Sequence, residues 1–158
     1  MEIRFAMEQD VGGIIKLLQQ VGRVHHEGRP DIFRTNAQKY GASEVLAMLN
    51  SSRSPIFVAV EGDAVLGYGF CQNKTYKDDP VIADHTELYI DDLCVEEKSR
   101  CKGIGTAIYQ QICRYAQQRR CYSVTLNVWS CNESAMKFYE SLGLKTQKVG
   151  MENILHAD

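Results

Sequence analysis

Between Leu88 and Ala116 the chain reads LYIDDLCVEEKSRCKGIGTAIYQQICRYA, an apolar strand that runs through Arg100-Cys101-Lys102-Gly103-Ile104-Gly105 into an amphipathic helix. Residues of these types in this order suit the holding of a phosphate. Glycines at 103 and 105 let the main chain approach an anion, the first amides of the helix point outward without carbonyl partners, and the helix dipole adds partial positive charge at the same end. Arg100 and Lys102 add formal charge, and Thr106 closes the run. On the strand ahead of this loop stand three carboxylates, Glu87, Asp91 and Asp92, which are candidate proton acceptors.

Other phosphate loops do not fit. A dinucleotide fingerprint needs G-x-G-x-x-G and, about 20 residues later, an acidic residue closing a second strand. Here Ile108 stands at the third glycine position, and the next strand carries Asn127 and Trp129. No Gly-Lys-Ser/Thr follows, so the loop is not a Walker A motif. The net charge of −2, with acids and bases interspersed, offers no basic field for nucleic acid and no polybasic tail for an anionic membrane. Six cysteines without a C-x-x-C pair argue against a metal site, and the lack of a signal peptide or membrane-length apolar run gives the expectation of a reduced, cytoplasmic protein.

A second segment, Leu126 to Leu144, reads LNVWSCNESAMKFYESLGL: a strand, an Asn132 cap, a helix carrying Ala135, Phe138 and Tyr139, and a Gly143 stop. Strand, Arg-x-x-Gly-x-Gly, helix, followed at this distance by a second strand and helix, resembles the GNAT (GCN5-related N-acetyltransferase) superfamily. The specific motifs lie in residues 88 to 144.

The resemblance implies an acetyl-coenzyme A-dependent N-acetyltransferase. It implies that the run Arg100, Cys101, Lys102, Gly103, Ile104, Gly105 and Thr106 seats the pyrophosphate. The edge of the strand at Leu93, Cys94 and Val95 would pair with pantetheine amides, and Asn132 would cap its helix and touch the cofactor. Tyr139, two turns or roughly 10 Å beyond Asn132, would protonate the departing sulfur. A phenol titrating at about 10 still carries its proton at neutral pH, where a thiolate leaving group of about 8.5 needs one. Some family members use a glutamate as base where this chain has Asn127. The catalytic carboxylate expected here is therefore Asp91 or Glu87, acting through water, with His25 and His26 as alternatives. Acids at Glu27, Asp31, Asp78, Asp79 and Asp84 are expected to rim the mouth and favour a cationic acceptor, a small-molecule amine or a protein or peptide amine. A non-catalytic acyl-coenzyme A binding or sensing module is the competing expectation, separated by its tolerance of Tyr139→Phe. Homodimerisation through the last strands is a further implication of the resemblance.

To position these groups, the 158 residues, 44% apolar, are expected to form one domain over 1–158. Ile3 and Phe5 mark a first strand, and Val11, Ile14, Leu18 and Val21 a first helix. Gly22 to Tyr40, where Gly28 and Pro30 break regularity, reads as loop or as loop with a short helical turn, and Ser43 to Leu49 as a short helix capped by Ser43. Ile56–Val60 and Val65–Gln72 flank a Gly62-Asp63 turn as a hairpin, and 73–84 is an exposed connection. A strand over 86–95, a helix over 103–119, a strand over 123–128 and a helix over 133–142 follow. Lys145 to Leu155 should add one or two last strands. The expected fold class is α/β, a mixed, largely antiparallel six- to seven-stranded sheet flanked by helices. Regular alternation along 86–95 puts Glu87, Tyr89, Asp91 and Leu93 on one face and Leu88, Ile90, Asp92 and Cys94 on the other.

Overall fold

The computed structural model describes residues 1–156, so the last two positions of the expected 1–158 domain lie outside the described residues. Its contacts gather into two compact units, Met1–Asn127 and Val128–Asp158.

The first unit holds five strands: β1 (Glu2–Phe5), β2 (Ile56–Glu61), β3 (Ala64–Tyr76), β4 (His85–Val95) and β5 (Ser123–Leu126). They lie in sequence order in one sheet, antiparallel from β1 to β4 and parallel between β4 and β5. Three helices belong to the same unit: α1 (Val11–Gly28), α2 (Ala42–Leu49) and α3 (Ile104–Gln118). The class is α/β with a mixed sheet, but the sheet has five strands rather than six to seven. Period-two side chains of β2 serve both layers: Ile56, Val58 and Val60 pack with Ile14, Leu17 and Leu18 of α1, while Phe57 and Ala59 pack with Ile104, Ile108 and Ile112 of α3. Gly69 lets α3 sit low on the sheet, since a Cβ there would stand 2.8 Å from Ile112 Cδ1.

Three expectations about this unit need correction. The Gly22–Tyr40 loop begins later than expected, because α1 continues to Gly28. Gly22 does not break the helix; it makes room for the returning segment, whose Ala37 carbonyl oxygen lies 1.9 Å from where a Cβ would be. Likewise β3 runs past Gln72 to Tyr76. Cross-strand pairs hold the extension: Thr75 and Thr86 hydroxyls at 3.1 Å, the Tyr76 and His85 rings stacked at 4.7 Å, and the Lys74 ammonium 3.6 Å from the Tyr89 ring centroid. At α2 the N-cap is Gly41 rather than Ser43, and the Glu44 carboxylate accepts from the Gly41 amide at 2.7 Å.

The second unit contains α4 (Glu133–Ser141). Asn132 Oδ1 accepts from the Ala135 amide at 3.2 Å and caps its start. At its end Gly143, at φ +88°, donates to Glu140 O and Leu144 donates to Tyr139 O, a Schellman closure. The one or two strands expected over Lys145–Leu155 do not form. Val149, Met151 and Leu155 are exposed, and β5 ends the sheet without an outer neighbour among the described residues. A strand forms only where another strand completes its hydrogen bonds.

Candidate active site

The loop after β4 differs from a direct strand-to-helix passage. A short 3-10 turn, Glu97–Ser99, intervenes, with buried Ser99 donating to Glu96 Oε2 at 2.7 Å. Cys101 and Gly103 then both take left-handed backbone, φ +61° and +76°, and α3 starts at Ile104. A side chain at Gly103 would meet nothing within 4 Å, so its conformation rather than space calls for glycine. The N-cap of α3 is Gly103, which supplies no side-chain acceptor to the helix's first amides, in contrast to Asn132 at α4. Arg100, Cys101, Lys102 and Gly103 are all exposed around that end, Arg100 Nε lying 3.4 Å from Val95 O.

Leu93, Cys94 and Val95 sit where β4 loses a neighbour. Its ladder with β3 continues to Val95, but β5 accompanies it only from Glu87 to Ile90. From Asp91 onward that edge carries no strand among the described residues. Leu93 and Val95 pack toward α3, and Cys94 turns the other way into the α1 core, where burial pushes its thiol up to about 12. Buried Gln20 of α1 secures this corner, donating to Val95 O at 3.0 Å and accepting from the Glu97 amide at 3.2 Å.

The regular alternation expected along β4 is broken by a bulge: Phe70 pairs with Asp92 and Cys71 with Ile90, leaving Asp91 as the extra residue. Asp92 therefore does not share a face with Leu88 and Ile90, which pack toward α3. It turns, with Asp91, toward the α1 and α2 side. A strand without the bulge would drive the Asp92 carboxylate into an apolar layer, a cost the extra residue avoids.

Each acid there has a phenol partner. Tyr40 donates to Asp91 Oδ2 at 2.6 Å, and Tyr68, fully buried, donates to Asp92 Oδ2 at 2.7 Å. Lys39 Nζ lies 2.9 Å from Asp91 Oδ1 and donates to Asp91 main-chain O at 3.3 Å. Desolvation raises the Asp92 carboxyl above the ordinary range despite the opposing pull of the Tyr68 hydroxyl. Burial, then the facing carboxylates, raise both Tyr40 and Tyr68. Glu87 is approached at 3.4 Å by the Tyr76 hydroxyl, whose own proton is held more tightly for it. Asn127 Nδ2 donates to the Tyr89 hydroxyl at 3.3 Å, and on β5 opposite Tyr89 the buried Thr125 Oγ1 has no hydrogen-bond partner among the described residues.

Tyr68, Tyr40 and Lys39 were not singled out by spacing, since each reaches Asp91 or Asp92 from a distant segment. Two consecutive acids inside an apolar strand were the available signal. The expected acidic rim is largely engaged elsewhere. Asp31 pairs with Arg29 at 2.7 Å, Asp79 accepts the Val81 and Ile82 amides, and Asp84 accepts the Asp78 amide. His25 stacks on Phe33 and His26 bonds Phe33 O at 2.7 Å, so both fasten the segment after α1. In the second unit Asn132 is the cap already described, and the half-buried Tyr139 ring contacts that of Phe138 at 5.1 Å. The cavity of about 250 Å³ lined by Phe5, Met48, Leu49, Pro55 and Tyr115 contains no carboxylate, imidazole or thiol. Among the described residues no cluster suited to a metal and no helix long and apolar enough to cross a membrane is present.

Residues 23–144 match the family model described as Acetyltransferase (GNAT) family. The thialysine N-epsilon-acetyltransferase of Bos taurus is 26% identical over 153 residues, covering 89% of this chain and 82% of that protein. A crystallised point mutant of the BH1408 protein from Bacillus halodurans superposes with a TM-score of 0.94 at 32% identity, covering 99% of this chain and all of that one. An aminoglycoside N-acetyltransferase crystallised with CoA shares the fold, TM-score 0.71 at 12% identity, over 99% of this chain and 100% of its own.

Proposed function

The chain belongs to the acetyltransferase (GNAT) family, and from that premise we propose that it moves an acetyl group from acetyl-coenzyme A to a primary amine by direct attack. The observation that carries this reading is the open end of α3 beside an unaccompanied strand edge. Amides 104–106 have no side-chain cap, Gly103 holds the left-handed turn that presents them, and β4 runs on from Asp91 to Val95 without β5. A pyrophosphate suits the first feature and an amide-bearing pantetheine arm the second.

In this proposal Arg100, Cys101, Lys102, Gly103, Ile104, Gly105 and Thr106 hold the phosphates, chiefly through main-chain amides. Leu93, Cys94 and Val95 pair with the arm, and Asn132 contacts the cofactor. Asp91 or Glu87 takes the proton from the acceptor's ammonium through water. The freed amine attacks the thioester carbonyl, and the carbon–sulfur bond breaks as Tyr139 gives its proton to the departing sulfur. The remaining extra proton on the attacking nitrogen passes through water to the Tyr139 phenolate, leaving a neutral amide, coenzyme A and a reprotonated Tyr139. The thialysine acetyltransferase activity of the Bos taurus relative favours a cationic acceptor.

The test is coenzyme A release across a panel of primary amines, with acetyl-coenzyme A binding followed by calorimetry. Tyr139→Phe is expected to lower kcat by roughly 10² while binding persists. Undiminished kcat in that variant removes the phenol from the reaction, and binding without turnover of any amine indicates a sensing module instead.

A further inference from the structure

Asp91 and Lys39 form an ion pair whose two halves are held very differently. The Asp91 side chain is only 10% exposed, sits on the bulge of β4, and keeps the Tyr40 hydroxyl on its second oxygen. Lys39 is 47% exposed at the tip of a long, flexible stem. The fold nonetheless delivers it there. The segment carrying it lies against α1 at Gly22 and Ala37, is tied by Gln19 to Gln38 at 3.1 Å, and is stacked down by Tyr40 on Phe70 at 5.4 Å. The carboxylate is thus a fixed seat and the ammonium a replaceable occupant.

Resting on the transferase reading above, we infer that Lys39 is a specificity-determining residue: its ammonium keeps the Asp91 seat until the ammonium of a cationic acceptor displaces it. A carboxylate this far withdrawn from water is costly to leave unpaired, so exchange between ammonium groups is favoured over vacancy. A neutral molecule has nothing to offer in exchange. Lys39 therefore weakens every cationic acceptor to the extent that it must be evicted, and it excludes uncharged ones.

Two readouts test this. The first follows the Lys39 side-chain ammonium by nitrogen–carbon correlated NMR, assigned through Lys39→Arg, as n-pentylamine or n-pentanol is added. The inference expects the amine to move the resonance to the position of a free lysine and the alcohol to leave it unmoved. The second compares kcat and KM for n-pentylamine in Lys39→Met, where KM should fall about three- to tenfold, the range for a partly exposed charged hydrogen bond, with little change in kcat. A staple that merely holds the loop would instead give a raised KM or a lowered kcat. An unmoved resonance, equal movement by the alcohol, or an unchanged or raised KM in Lys39→Met overturns the inference. Turnover of n-pentylamine with Lys39 unmoved sinks the inference and spares the transferase reading. Amine-specific movement without any acetyl transfer does the reverse.

Discussion

Replacing Tyr68 with phenylalanine removes one hydroxyl and no packing volume of note, and its consequence follows from Asp92. The hydroxyl is fully buried and donates to Asp92 Oδ2 at 2.7 Å, so the substitution leaves a desolvated carboxylate without its donor. A hydrogen bond to a charged group is worth about 1.5–3 kcal/mol and one between neutral groups about 1 kcal/mol. The cost therefore depends on whether Asp92 is ionised. Its folded proton affinity is raised by burial, so the folded chain holds that proton better than the unfolded one does. The resulting stability is fully present below the unfolded carboxylate value of about 4 and declines as pH rises through the raised folded value. The Tyr68 hydroxyl opposes that rise, and removing it pushes the folded value higher still, widening the window. The loss in Tyr68→Phe should be about 1 kcal/mol near pH 4.5 and about 2–3 kcal/mol at pH 8. Urea unfolding of both chains at the two pH values measures it, with a shifted midpoint and an unchanged slope. In an Asp92→Asn background the dependence on pH should vanish. Equal losses at both pH values, or a larger loss in acid, would refute the argument.

Gly22→Ala places a methyl where the Ala37 carbonyl oxygen lies at 1.9 Å, so the segment carrying Lys39 and Tyr40 must lift; a loss of about 2 kcal/mol, seen as a Tm lower by about 4–8 °C, is expected. Asp10→Ala breaks a bidentate pair with Arg4, at 2.6 and 3.0 Å, and frees the Met7 amide bonded at 2.7 Å. Burial disfavours the Asp10 carboxylate, but Arg4 and the Met7 amide outweigh it and hold its carboxyl low, so its contribution exists above the ordinary carboxylate range and is lost as pH falls through the depressed value. The variant should lose about 2–4 kcal/mol at pH 7 and less in strong acid, by the same urea assay. Cys101→Gly relieves a non-glycine residue at φ +61° and should gain up to about 1 kcal/mol, the left-handed strain less the added chain entropy.

The turn into α3 was legible because its signal is local: glycines, cations and a helix start are neighbours in the chain, and Gly103 takes the left-handed backbone such a turn uses. The end of α4 was legible for the same reason at Gly143. The carboxylate cluster on β4 was not. Asp91 and Asp92 are named by any scan for carboxylates, but their common orientation depends on a bulge that arises only when β4 is laid against β3. Tyr40 and Lys39 reach Asp91 from a segment more than one strand and one helix away, with no periodicity to announce it. The end of α1 at Gly28 was placed too early, and Gly22, inside the helix, answers to a packing requirement at Ala37 that local sequence does not announce. The missing strands over Lys145–Leu155 show the same limit, since a strand is made by a partner's backbone and not by local residue types.

The proposal that this chain is an acetyl-coenzyme A-dependent amine acetyltransferase is tested most directly by mass spectrometry of the small-molecule fraction after incubation with acetyl-coenzyme A and a panel of primary amines. The account predicts one N-acetylated amine for each coenzyme A released, with both signals reduced together in Tyr139→Phe. Release of coenzyme A without an acetylated amine, or binding of acetyl-coenzyme A with no transfer to any member of the panel, would contradict it.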